Sequence, residues 1–213
     1  MEFAEVLNSR HSVRYFDARP VSRDLVIKTV EGAQKAPSWI NAQEWRVWAL
    51  MGTPLEEMRK EHSARDLAGV KGYSETPVSH RTQFSPAAQE NMRAFSQSRE
   101  DAGLAKVKEE SQAELFHAPC VLYLTLPKGH GDFAMLDLGG FEATLLLCAQ
   151  SLGLASIPAY NLVKYPDLVR KYTNIPETEE IVIGVALGYA ARHPLNDFRS
   201  TRVPVGKVLT ICG

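Results

Sequence analysis

The run LDLGGFEATLLLCAQSL, residues 136–152, is strongly apolar and long enough for a helix of several turns. Gly139, Gly140, Ala143 and Ala149 within it are small, so other helices can approach closely, and we expect it to be the central helix of the core. Before and after it lie two runs with the length and apolar content of buried strands: PCVLYLTL at Pro119 to Leu126 and EIVIGVAL at Glu180 to Leu187, the second closed by Gly188. A shorter strand, RVWALM, is expected at Arg46 to Met51. Helices with apolar stripes are expected at Glu2 to Ser9, at about Ser22 to Ala36 with Ser22 as cap, and at about Pro166 to Tyr172. Leu55 to Leu115 alternates helical patches with Ser-, Gln- and Glu-rich segments. The fold class implied is α+β, with helices packed on a mixed or antiparallel sheet. No repeat, linker or composition break divides it, so residues 1–213 read as one domain.

The chain has 213 residues, 45% hydrophobic and 23% charged, with net charge -1. That balance suits a globular domain and excludes disordered and fibrous classes. It also gives no general electrostatic reason to bind nucleic acid. The greasiest runs, such as Val121 to Leu126 and Leu145 to Ala149, fall well short of the roughly eighteen apolar residues a membrane span needs. The opening MEFAEVLNSRHS lacks a cationic region leading into a hydrophobic one, so a cytoplasmic location is expected. Cys120, Cys148 and Cys212 lie far apart and are expected to be reduced, structural thiols. His62, His80, His117, His130 and His193 show no metal-ligand spacing, and neither a dinucleotide glycine fingerprint nor a nucleophile elbow occurs. No metal and no hydrolase chemistry are expected.

Chemistry concentrates elsewhere. Arg10, His11, Ser12 and Arg14 form an R-H-S-x-R cluster at the end of the first helix, and Arg199 and Arg202 stand in a basic tail. Guanidinium groups donate paired, charge-assisted hydrogen bonds to phosphate, and a serine hydroxyl adds a neutral donor. Each arginine alone reads more readily as a solvated surface charge; the pattern is what points to a phosphate.

Four segments in register then carry a resemblance: RHSVRYF at Arg10 to Phe16, APSWINAQEW at Ala36 to Trp45, SLGLASIPAYN at Ser151 to Asn161, and IPETEEIVIGVALGYA followed by FRSTRVP ending at Pro204. Taken together they resemble the FMN-dependent nitroreductase family. The resemblance implies a sandwich-like α+β fold, a homodimer with FMN sites shared across the interface, and NADH or NADPH as electron donor. It places Arg10, Ser12 and Arg202 on the FMN phosphate, with Arg199 as a further candidate, and Arg14 near the flavin's pyrimidine edge. There a fixed positive charge favours the reduced form. His11 reads either as a flavin contact or as a packing residue.

Pro37, Ser38, Trp39 and Asn41 match a loop that the family supplies from the partner subunit, with Gln43 supporting the turn. Trp39, Ile40 and Glu44 depart from the commoner residues there, which bears on substrate choice. Trp39 is open between a site wall and an ordinary core residue, whereas Trp45 is assigned to the core. Ile157, Pro158, Ala159 and Tyr160 match the loop against one flavin face, with the Tyr160 backbone N–H as the expected donor to N5. No side chain need be catalytic, because the cofactor carries the chemistry. The expected reaction is ping-pong reduction of a nitroaromatic, quinone or similar small acceptor. Tyr73, Phe84 and Phe95 in the middle region are expected to form a lid or channel wall. The alternatives are a same-fold enzyme doing dehalogenation, flavin breakdown or heterocycle dehydrogenation; a non-turnover FMN sensor or store; and a structural domain without cofactor.

Overall fold

The structure is a computed structural model and describes residues 2–104 and 110–213. Residues 105–109, within the expected lid region, and Met1 lie outside the described residues. Strands β1 (Arg46–Met51), β2 (Cys120–Pro127), β3 (Ala155–Ala159) and β4 (Glu179–Gly188) form a sheet in the order β1-β2-β4-β3. Every pairing among the described strands is antiparallel, which settles the mixed-or-antiparallel expectation. β2 is apolar on both faces because both faces are covered. Cys120, Leu122, Leu124 and Leu126 enter one core with Val185 and Leu187, while Val121 and Tyr123 enter the other with Leu55, Met58 and Leu168. Each fully buried Leu or Phe contributes about 1.5–3 kcal/mol, so these two cores are the main source of stability.

The helices are α1 (Phe3–Ser9), α2 (Arg23–Ala33), α3 (Thr53–Leu67), α4 (Pro86–Asp101), α5 (Asp132–Ser151), α6 (Pro166–Thr173) and α7 (Pro194–Asp197). Ser22 caps α2 as expected, its side chain accepting from the Leu25 N–H at 3.2 Å. That helix ends at Ala33, short of the expected Ala36, because Pro37 disfavours helical backbone at the residue before it. α2 and α5 pack together on one face of the sheet, where Trp45 stacks on Phe141 at 4.9 Å. α3 and α6 cover the other face.

α5 begins at Asp132, one turn before the expected Leu136. Its inner stripe, including Leu138, Phe141, Leu145 and Ala149, is buried, but its outer stripe corrects an expectation. Phe133, Leu136, Gly140 and Ala143 are exposed, and a Cβ placed on Gly139 or Gly140 would meet nothing within 4 Å. The close helix contact that these glycines permit is not made within this chain. The tail from residue 199 onward is exposed too, including Val205, Val208 and Ile211. Cys120 is buried and Cys148 half-buried, but Cys212 sits exposed in that tail, so it is not a structural thiol of the core.

The middle region divides in two. Residues 70–76 are strapped to the body: Arg170 donates from Nη2 to both oxygens of Glu75 at 2.8 Å, and Glu75 accepts the Ile181 N–H at 2.7 Å. α4 buries no residue, and its Phe95 meets Phe198 edge to face at 5.8 Å.

Candidate functional site

α1 stops at Arg10, whose N–H closes on the Val6 carbonyl at 3.0 Å. The chain then runs extended alongside β3: Ser12 bridges Ser156, and the Val13 N–H donates to the Ser156 carbonyl at 3.1 Å. From the other end of the sequence, buried Asn196 on α7 grips the same stretch. Its Oδ1 accepts from the N–H groups of Arg14 (2.8 Å) and Tyr15 (3.2 Å), and its Nδ2 donates to the carbonyls of Tyr15 (2.8 Å) and Ala191 (2.9 Å). His193 stacks on Tyr15 at 3.6 Å between centroids. Arg199, just beyond, donates to the Asn196 carbonyl at 2.7 Å. Two segments at opposite ends of the chain are thus joined, by this amide, by the ring stack and by the Ala191 N–H, which donates to the Tyr15 carbonyl at 3.0 Å. The sequence reading did not single out Asn196, since a lone Asn in a polar tail carries no local signal.

The result is a pocket of about 450 Å³ that brings together the expected phosphate set, Arg10, Ser12, Arg199 and Arg202, and with it His11 and Arg14. Phe95 and Phe198 close one side. Among the described residues no carboxylate lines it, and the guanidinium groups of Arg10 and Arg202 act on each other as like charges. Burial, and then the charge of Arg202, hold the Arg10 pKa below the usual arginine value. Arg10 stays protonated, since arginine does not lose its proton in proteins. Burial and like charge together favour an anion beside it. The Nε2 of His11 is buried without a hydrogen-bond partner, while Nδ1 lies 2.8 Å from the Ser9 carbonyl. Geometry and donor chemistry fit a phosphate dianion. Arg14 lines this same pocket and reaches the Ser12 carbonyl at 3.4 Å.

Burial pushes the His11 pKa below its ordinary value of about 6.5; the backbone groups of Ser9 and Asn196 oppose this, and Arg199 and Arg10 add to it. As pH falls below that value, the unfolded chain takes up the proton before the folded one does. Stability is therefore lost with falling pH until the lowered native value is reached. The urea midpoint of the protein without flavin should fall between about pH 7 and 5, with a shallower fall in His11→Asn. Inorganic phosphate in the pocket should flatten the wild-type slope, and a wild-type slope equal to that of His11→Asn would refute the assignment.

The other expected site residues lie in two places. Ile157, Pro158 and Ala159 form β3, with Ile157 buried, and Tyr160 opens the turn that follows it, partly exposed. That turn presses onto β4 so closely that a Cβ on Gly184 would stand 2.4 Å from the Leu162 Cβ, which only glycine allows. The segment from Pro37 to Asn41 lies apart. None of it lines the arginine pocket; it sits instead against the start of α5, where the Trp39 N–H donates to Asp137 Oδ2 at 2.8 Å and the ring meets Phe133 at 4.6 Å. Trp39 is therefore an exposed aromatic rather than a core residue. Ile40, Asn41 and Gln43 all have positive φ (47°, 59° and 49°), and Ser38 Oγ accepts the Gln43 N–H at 3.2 Å. A β-branched residue in that region is strained, and strain of this kind gathers at functional loops.

A larger groove of about 790 Å³ runs along α4, lined by Phe84, Phe95, Arg81 and Arg99 among others. Phe95 also lines the arginine pocket. Phe84 and Phe95 thus stand together as expected, and Tyr73 does not join them; it is held at the Lys164 carbonyl by its N–H at 2.9 Å.

Known proteins resemble the chain over nearly its whole length. The sequence model of the Nitroreductase family matches residues 7–189. A 4-nitrobenzoate reductase of Pseudomonas putida is 29% identical over 209 residues, covering 94% of this chain and 91% of that protein. The solved FMN- and NADPH-dependent nitroreductase NfnB of Sphigopyxis sp. strain HMH superposes with a TM-score of 0.88 at 26% identity, over 100% of both chains. The FMN-dependent NfnB of Mycobacterium smegmatis, solved with NADPH, shares the fold at a TM-score of 0.89 and 24% identity, over 99% of this chain and 98% of that one.

Proposed function

The chain belongs to the nitroreductase family, and from that premise we propose that it is an FMN-dependent oxidoreductase. It passes electrons from NADH or NADPH to a small, flat, electron-poor acceptor such as a nitroaromatic or quinone, and it works as a homodimer with shared sites. The observation that carries this reading is the arginine pocket built on Arg10, Ser12 and Arg202, with no carboxylate among its described lining residues, which suits a phosphate monoester. FMN, when bound, supplies the redox chemistry, accepting hydride from the nicotinamide and delivering electrons to the acceptor in alternating half-reactions at one place.

The chain's own residues bind and orient. Arg10, Ser12 and Arg202 hold the phosphate, with Arg199 steadied by Asn196 beside them. Arg14 contributes fixed positive charge, which favours a reduced cofactor over an oxidised one. Ile157 to Tyr160 present a backbone edge stiffened by Pro158. In a dimer, Pro37 to Asn41 of one protomer complete the site of the other, with Trp39 as an aromatic wall. The distance of that loop from the arginine pocket in one chain, and the bare outer face of α5, both support a site made by two chains.

The experiment is a visible spectrum of protein incubated with FMN and gel-filtered, then treated anaerobically with NADH and NADPH in separate cuvettes. Retained flavin that bleaches with a nicotinamide and recovers on adding a nitroaromatic or quinone is the expected result, and it names the donor. Retained flavin that stays oxidised would replace the enzyme reading with a sensor or store, and failure to retain flavin would overturn the whole proposal.

A further inference from the structure

His62 stands on α3 with 1% of its surface exposed. Each ring nitrogen faces a backbone carbonyl: Nδ1 lies 2.8 Å from the oxygen of Ala113, and Nε2 lies 2.9 Å from that of Asn161. Neither partner has a proton to give. A neutral imidazole carries one N–H and one lone pair, so it satisfies one carbonyl and turns a lone pair towards the other. Only the imidazolium donates to both. The two carbonyls belong to separate parts of the site region. Asn161 directly follows Tyr160 in the turn after β3, and Ala113 lies in the segment that ends the middle region. A second link joins the same two segments, with Asn161 Nδ2 donating to Gln112 Oε1 at 2.9 Å.

We infer that His62 is a positioning residue that works as a proton-operated staple, tying the turn at Asn161 to the segment at Ala113 when charged and letting go of one of them when neutral. Its reach into function rests on the reading of Ile157 to Tyr160 as flavin-facing. A charged His62 fixes the Asn161 carbonyl, one residue past Tyr160, and so holds the cofactor-facing edge in one position; a neutral His62 leaves that edge or the root of the middle region loose.

The groups facing His62 set where it titrates. Burial pushes it down, the two carbonyls push it up, Lys164 lowers it and Asp66 raises it, with the net below the ordinary histidine value. Lys164 and Asp66 are paired with each other. Tyr165 presents its ring at 5.1 Å, and Glu114, on the Ala113 side, is occupied by Ser63 Oγ at 2.6 Å. The staple is therefore half-open at neutral pH and closes on acidification. Two observables then move in opposite directions: the local link tightens as pH falls, while global stability declines, because the unfolded chain takes up this proton first.

The test has two arms. Nitrogen-15 spectra of the wild-type imidazoles, recorded without flavin from about pH 8 to 4.5, should show one His62 N–H near neutrality and two on the acid side, both slow to exchange. A His62 ring with one bare nitrogen throughout overturns the staple. FMN dissociation from the holoprotein, followed by fluorescence recovery, should be roughly tenfold slower below the transition than above it, the effect of one charge-assisted hydrogen bond. His62→Gln has one donor nitrogen, which faces only one of the two carbonyls, and no charge, so it should dissociate at the neutral-side rate at every pH. His11 is common to both proteins and cancels in their ratio. A His62→Gln profile that tracks wild type overturns the coupling to the flavin edge. If neither protein retains FMN, the functional reading fails and the imidazole spectra alone decide the staple.

Discussion

Arg10→Gln should bind FMN roughly ten- to a hundredfold more weakly than wild type while folding at least as stably. The loss follows from removing a partly buried, charge-assisted contact to phosphate, worth about 1.5–3 kcal/mol. The stability follows from the same electrostatics with the sign reversed. Without an anion, Arg10 is desolvated and repelled by Arg202 in a pocket with no acid among its described lining residues, so neutralising it relieves repulsion. A FMN titration by fluorescence quenching, paired with urea unfolding of the flavin-free protein, separates the two effects. Arg202→Gln should cost less affinity, since Arg202 is exposed and already donates to Ser200 Oγ at 2.8 Å and to the Thr201 carbonyl at 2.9 Å. Unchanged affinity in Arg10→Gln would remove the phosphate from this pocket, and lost stability would show that the guanidinium is structural instead.

Gly140→Arg should convert the proposed dimer to monomers and abolish FMN retention, with the protomer still folded. Gly140 lies on the outer face of α5, where an added Cβ meets nothing within 4 Å, so the chain itself offers no clash. Arginine also favours mid-helix positions over glycine by about 0.8 kcal/mol, and the protomer should gain slightly. If Phe133, Leu136 and Ala143 cover a partner, however, a guanidinium in their midst is buried without a counter-charge, at a cost of several kcal/mol. Sedimentation would report the mass, and gel filtration after FMN loading would report the site. A variant that remains dimeric places the interface elsewhere. A monomer that retains FMN would show that the site is complete within one chain and that Pro37 to Asn41 do not serve a neighbour.

Much of this molecule was legible in its residue order, and the reason is locality. The strands at β1, β2 and β4 were marked by short apolar runs, α2 by its apolar stripe and Ser22 cap, and the R-H-S-x-R cluster by charge types that suit phosphate. The burial of Trp45 was read correctly as well. These features depend on a few neighbouring residues, so period and composition suffice. α5 shows where that ends. It is apolar on nearly every side, and such a helix has no polar face to say which stripe meets its own core and which is left for something else. Only the packed structure separated Leu138, Phe141 and Leu145 inside from Phe133, Leu136 and Gly140 outside.

The same holds for the site. The sequence by itself named the arginines and the serine; the tertiary structure decided that Arg199 and Arg202 meet Arg10, because Asn196 reaches back across the chain to the backbone of Arg14 and Tyr15. It also decided that the loop at Trp39 stands away from that pocket and that His62 faces two carbonyls at once. Side-chain chemistry is fixed residue by residue, but what a side chain faces depends on contacts between segments far apart in the chain, and no local pattern encodes those.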